Sequence, residues 1–137
     1  MKSYEYLPHT ADVKFRAYGE TLEQAFCNAA YAFTDIMTKH TKVKEIVKKN
    51  CEISAENLEA LLYDFLEQFI FLLETEGFLL HKITSLTIQD TSLTVECTGD
   101  LHPEQYDIKA HIKAVTYQQM SIQKTNNQWC LQVIVDV

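Results

Sequence analysis

The feature that most constrains this chain is a change of hydrophobic period at Gly77. Before it, Leu58, Leu61, Leu62, Phe65, Leu66, Phe69, Leu72 and Leu73 recur at helical spacing. They form a wide apolar face, the mark of a helix that buries most of one side. After Gly77 the apolar residues alternate in steps of two, which turns one face of each strand toward a core. Gly77 itself stands where a helix stop belongs. Such a chain must pack a long helix against strands.

The remaining segments follow the same logic. Lys2 to Leu7 is extended in character, and Pro8 ends it. Val13 to Tyr18 alternates Val13, Phe15 and Ala17 against Lys14, Arg16 and Tyr18, a half-buried strand. Thr21-Leu22-Glu23-Gln24 has capping-box spacing and opens an amphipathic helix to about Met37. Val43 to Ile53 reads as a strand with one exposed face, and Ser54 as the cap of the second helix. Phe78 to Gln89 and Ser92 to Cys97 read as a hairpin turning at Asp90-Thr91. Gly99 to Asp107 reads as a polar loop. Ile108 to Tyr117, Met120 to Lys124 and Trp129 to Val137 read as three more strands, with Asn126-Asn127 as the last turn. The expected fold class is α+β, a two-layer domain. Its mixed or antiparallel sheet would carry two main helices on one face.

With 137 residues the chain has the size of one domain and can bury a core without disulfides. The formal charge of -7 makes it a poor bulk ligand for phosphate backbones. RNA, if involved, is then held by a partner. Acidity also suits docking on a basic partner, holding a cation, or simple solubility. Cys27, Cys51, Cys97 and Cys130 are widely spaced, with no CxxC pair, and read mostly as buried, reduced thiols. No apolar core follows Met1-Lys2-Ser3-Tyr4, so no secretory leader is expected there. Phe69 to Leu73 is far too short to cross a bilayer. The expectation is a cytoplasmic protein without membrane contact. Three glycines cannot build a nucleotide-binding loop, and no His pair has metalloprotease spacing.

Three places can carry chemistry. Pro8-His9-Thr10-Ala11-Asp12-Val13 is a polar cluster where one strand enters the next. It reads either as a turn capped by Asp12 or Thr10 or as a donor site. At Val133-Ile134-Val135-Asp136-Val137 an acid stands beside the last residue of an apolar strand. If the chain ends there, the Val137 α-carboxylate and Asp136 are neighbouring hard oxygen donors, the kind Mg²⁺ and Ca²⁺ prefer. The alternative is a frayed, solvated end. Lys113, in Lys113-Ala114-Val115-Thr116-Tyr117, matters only if its face lies beside those acids.

These segments together resemble the archease family. His9 to Val13, Ala17-Tyr18-Gly19 with Thr21 to Phe26, Leu58 to Leu66, Lys113 to Tyr117 and Val133 to Val137 match its signatures in order. The resemblance spans nearly the whole chain, read as one archease-like domain over residues 1–137. It implies an accessory protein, not an enzyme. Such a protein activates a GTP-dependent RNA ligase in tRNA splicing and RNA repair, promoting ligase guanylylation and multiple turnover. It also implies a divalent metal, Ca or Mg, at Asp12, Asp136 and Val137, and partner-related roles for Lys113 and His9. RNA would be met only through the ligase. The chain departs from the family at Gln118, where a His is usual, and across the loop from Gly99 to His111, where Tyr106 and Lys109 stand near the family's His and Gly. Two other classes compete: a small metal-dependent phosphate-ester hydrolase, and a metal-independent chaperone or interaction domain.

Overall fold

The computed structural model describes residues 2–137. The strands are β1 (Tyr4–Leu7), β2 (Val13–Gly19), β3 (Val47–Ser54), β4 (Leu79–Gln89), β5 (Ser92–Asp100), β6 (Ala114–Thr125) and β7 (Gln128–Asp136). The helices are α1 (Leu22–Met37) and α2 (Leu58–Glu76). The α+β architecture with two main helices is as expected from the pattern. The strands divide into two antiparallel sheets, one ordered β1-β2-β7-β6 and one ordered β3-β5-β4. Helix α1 packs on β1, β2 and β7 and also on β4, while α2 packs on β6 and on β3 and β4. Both helices therefore touch both sheets. Phe15, Phe26, Phe33, Leu62, Phe65 and Leu131 are fully buried between these layers.

Local chemistry explains most boundaries. The Thr21 side chain accepts from the Gln24 N–H at 3.0 Å, and Gln24 Oε1 accepts from the Glu20 N–H at 2.7 Å. The capping exchange therefore closes one residue earlier than the capping-box spacing implies. Helix α2 is capped by Asn57, whose side chain accepts from the Ala60 N–H at 2.8 Å, not by Ser54. Ser54 ends β3, where its hydroxyl pairs with that of Ser92 at 2.9 Å. Gly77 closes α2 with φ of 72°, the left-handed cap glycine favours.

Four expected segments shift. Strand β3 starts at Val47, because residues 40–42 form a 3-10 turn and Val43 is its C-cap. Strand β5 runs on through Gly99 and Asp100, both buried, so the polar loop begins later. A side chain at Gly99 would meet the Leu79 carbonyl, which is why the paired backbones approach closely there. Residues 108–113 are irregular, since the Lys109 N–H goes to the Met37 carbonyl that ends α1. The two strands read at Ile108 to Tyr117 and Met120 to Lys124 are one strand, β6. Its pairing with β7 is interrupted between Thr116 and Ser121, with Gln119 at φ of 55°. Asn126 and Asn127 make the final turn, both at positive φ.

Candidate functional site

Three strand ends meet at one end of the larger sheet. Val13 at the start of β2 pairs with Val135 near the end of β7. Asp12 directly precedes β2 and Asp136 ends β7, so the two acids lie at the same end of this strand pair. On the other side of β7, Ala114 pairs with Asp136. The next step sets Lys113 opposite Val137, and the Lys113 N–H donates to the Asp136 carbonyl at 2.7 Å. Neighbouring strands lie about 5 Å apart, so the two acids and the start of β6 share one edge. All five residues singled out from the sequence are in this region: His9, Asp12, Lys113, Asp136 and Val137.

Local geometry holds the cluster. Ala11 sits at φ of 67° in the turn between β1 and β2. A non-glycine residue in that region costs on the order of 1–2 kcal/mol, and the strain is placed directly before Asp12. Asp12 is half-buried, and its Oδ2 lies 3.9 Å from Nδ1 of half-buried His9. That His9 nitrogen is itself buried and without a hydrogen-bond partner. Asp136 and Val137 are half-buried, and Lys113 is exposed. The last strand is docked between β2 and β6 rather than frayed.

Among the described residues, no group of three or more His, Cys, Asp or Glu side chains is placed to hold an ion. The edge offers two side-chain carboxylates and main-chain oxygen instead. A hollow of about 240 Å³ lies elsewhere, against residues 103–112, with Met37, Ile70, Leu73 and His111 in its wall. It is mainly apolar and belongs to a different part of the surface from the acids. The cysteines are free; Cys97 is buried and the other three are half-buried. Burial pushes the Cys97 thiol up to about 12 and the Cys27 thiol up to about 11, so both stay protonated. Among the described residues no helix is long and apolar enough to cross a membrane.

Sequence reasoning missed three features. Buried Asp100 accepts from the Tyr106 hydroxyl at 2.6 Å and from the Leu101 N–H at 2.7 Å. The Tyr106 oxygen accepts in turn from the Lys44 N–H at 2.9 Å. Tyr106 therefore ties the 101–113 loop to the segment before β3. Glu67 on α2 accepts from the Val115 N–H at 2.9 Å, closing part of the open edge of β6. Tyr63 of α2 and Tyr117 of β6 stack with centroids 4.4 Å apart and planes 7° from parallel. Only the last carried a signal, since Tyr63 lies off the apolar stripe and Tyr117 closes the Lys113-Ala114-Val115-Thr116-Tyr117 segment.

Comparison with known proteins identifies the family and agrees with the fold. The sequence profile of the Archease protein family matches residues 4–137. Protein archease of Methanosarcina mazei is 37% identical over 141 residues, covering 99% of this chain and 97% of that protein. Protein archease of Pyrococcus abyssi is 35% identical, with both chains covered in full. The solution structure of Methanobacterium thermoautotrophicum protein 1598 superposes with a TM-score of 0.84 at 32% identity, again over 100% of both chains. An archease structure from Thermotoga maritima, described as a possible chaperone, shares the fold at a TM-score of 0.62 and 17% identity, over 96% of this chain and 94% of that one. The chain belongs to the archease family.

Proposed function

We propose that this protein activates a GTP-dependent RNA ligase in tRNA splicing and RNA repair, using a divalent cation held at the acidic edge. It acts in the cytoplasm on the ligase, and meets RNA through it. The observation that supports this reading is the strand pairing that gathers the start of β2, the end of β7 and the start of β6 at one sheet end, beside which Asp12, Asp136 and Lys113 stand in the chain. Two carboxylates brought within a few ångströms at a sheet end repel at neutral pH, and a cation between them removes that cost.

The residues fit such an ion. Asp12 and Asp136 are hard oxygen donors, and the Val137 carboxylate adds a third where it is the last residue. The two carboxylates suit Ca²⁺ or Mg²⁺; no thiolate stands with them and His9 is the single imidazole nearby, short of the set a structural zinc site uses. The unpartnered, buried His9 Nδ1 beside Asp12 marks a place where a polar partner is missing. A bound cation supplies positive charge at an acidic surface. This chain's part is to hold Asp12 through the strained Ala11 turn and Asp136 through pairing on both sides of β7. Lys113, exposed on the next strand end, offers a counter-charge or a phosphate contact.

The test is multiple-turnover RNA ligation by the cognate ligase with GTP and Mn²⁺, with and without this protein. Wild type is expected to raise both turnover and the guanylylated fraction of the ligase. Asp136→Ala is expected to stay folded and lose that effect. A fully active Asp136→Ala protein would show that the acidic edge has no part in activation.

A further inference from the structure

The outward face of α2 is unusual in both charge and shape. Between Ser54 and Gly77 the chain has Glu56, Glu59, Asp64, Glu67, Glu74 and Glu76 and no Lys or Arg. At about 100° per residue, Glu59, Tyr63, Asp64, Glu67, Phe71 and Glu74 fall on one side of the helix. Surface helices commonly intersperse the two signs, because like charges three or four residues apart cost a few tenths of a kcal/mol per pair. Here nothing offsets Glu59 and Asp64: among the described residues, the salt bridges lie at other places. On that side of the helix only Glu67 is engaged, by the Val115 N–H; Glu76, at the end of α2 and off that side, pairs with Lys49.

Aromatic surface lies among these acids. Phe71 is 56% exposed and Tyr117 is 55% exposed, two of the few large apolar residues left in water. Tyr117 lies parallel on Tyr63, so one ring braces the other and the outer ring keeps accessible surface. Asp64 follows Tyr63, the residue on which Tyr117 stacks; burial raises the Tyr117 hydroxyl, and the charges of Asp64, Tyr63 and Glu56 raise it further. A rigid π-surface bordered by carboxylates suits a planar cation. Guanidinium stacks on an aromatic ring while its edge donates to carboxylates, which an ammonium cannot do as well. Phosphate backbones are repelled by the same acids.

We infer that the outward face of α2, with the Tyr63–Tyr117 stack, is a docking surface for an arginine-presenting basic segment of a protein partner. Taking the cognate ligase as that partner rests on the reading above. The choice of arginine rests on this face alone.

The experiment has two arms. In the first, labelled protein is titrated with a short glycine-spaced arginine peptide, its lysine counterpart and its citrulline counterpart, following the tyrosine ring signals by NMR. The Tyr117 and Tyr63 signals are expected to move with the arginine peptide, less with lysine and not with citrulline. In the second, affinity for the cognate ligase is measured for wild type, Tyr117→Ala and Asp64→Asn. A loss of about 10-fold or more is expected in each variant, the size of a buried anchor contact, with melting temperatures near that of wild type. Equal response to all three peptides together with unchanged ligase affinity overturns the inference and leaves ligase activation standing. A selective arginine response with no ligase binding supports the surface and sinks the ligase as its partner. Binding of an RNA oligonucleotide that Tyr117→Ala abolishes would also overturn it.

Discussion

Asp100 shows how one side chain couples a loop to the core. Its carboxyl is held below the usual range, first by the Tyr106 hydroxyl, against the opposing effect of burial, and then by the Leu101 and His102 N–H groups. A carboxyl lowered in the folded state contributes stability that is full above its unfolded value, near 4. That contribution is lost as pH falls through the lower folded value. Asp100→Asn is therefore expected to be less stable than wild type at pH 7, and the gap should narrow as pH falls from about 5 toward 3. Urea midpoints measured across that range test this; parallel curves would show that the carboxylate contributes nothing through its charge. Asp100 was not legible from sequence, because the stretch after Cys97 looks polar. Only the pairing of Leu79 with Asp100 carries the strand on and buries the acid. Asp12 and Asp136 were legible, since each borders a strand whose alternation is plain and both are hard donors.

At the scale of elements, the two helices were readable because each has a stripe wide enough to fix its face, and the ends were harder. Ser54 and Asn57 both have capping side chains, so local chemistry cannot choose between them. Strand β3 decides it: Ser54 pairs with Ser92 at the end of the β3–β5 ladder, which leaves Asn57 to begin the helix. Asn57→Ala should cost about 1 kcal/mol, and Ser54→Ala should stay within about 0.5 kcal/mol. Chemical denaturation of both variants checks the assignment, and a larger loss at Ser54 would reverse it. Strand β6 was split in the sequence reading for a related reason. Tyr117 to Gln119 break the alternation, but tertiary pairing with β7 resumes at Ser121, so the interruption is a bulge inside one strand. The division into two sheets had no local signal at all. It depends on which strands pair at long range: β7 returns to β2, while β5 lies between β3 and β4.

For the whole molecule, the proposed cation at the acidic edge predicts that stability depends on what is bound. Asp12 and Asp136 stand at the same end of the β2–β7 pair, and like charges gathered there without a cation are expected to be destabilising. Asp136→Asn removes that repulsion, so in EDTA the variant is expected to melt at or above wild type. With a divalent ion the order reverses. An ion that binds only the folded chain stabilises it by about 2.7 kcal/mol at 100 times its dissociation constant. For a chain of this size that is a rise of roughly 10 °C. Wild type should show that rise with Ca²⁺ or Mg²⁺, and Asp136→Asn should show little of it. The crossing of the two proteins separates a metal site from a merely structural acid. A structural Asp136 would lower the melting point of the variant in EDTA and leave both proteins equally indifferent to the ion. The readout needs no ligase, so it tests the cation separately from activation. Loss of both the crossing and the rise would remove the metal while leaving family, fold and the arginine surface of α2 in place.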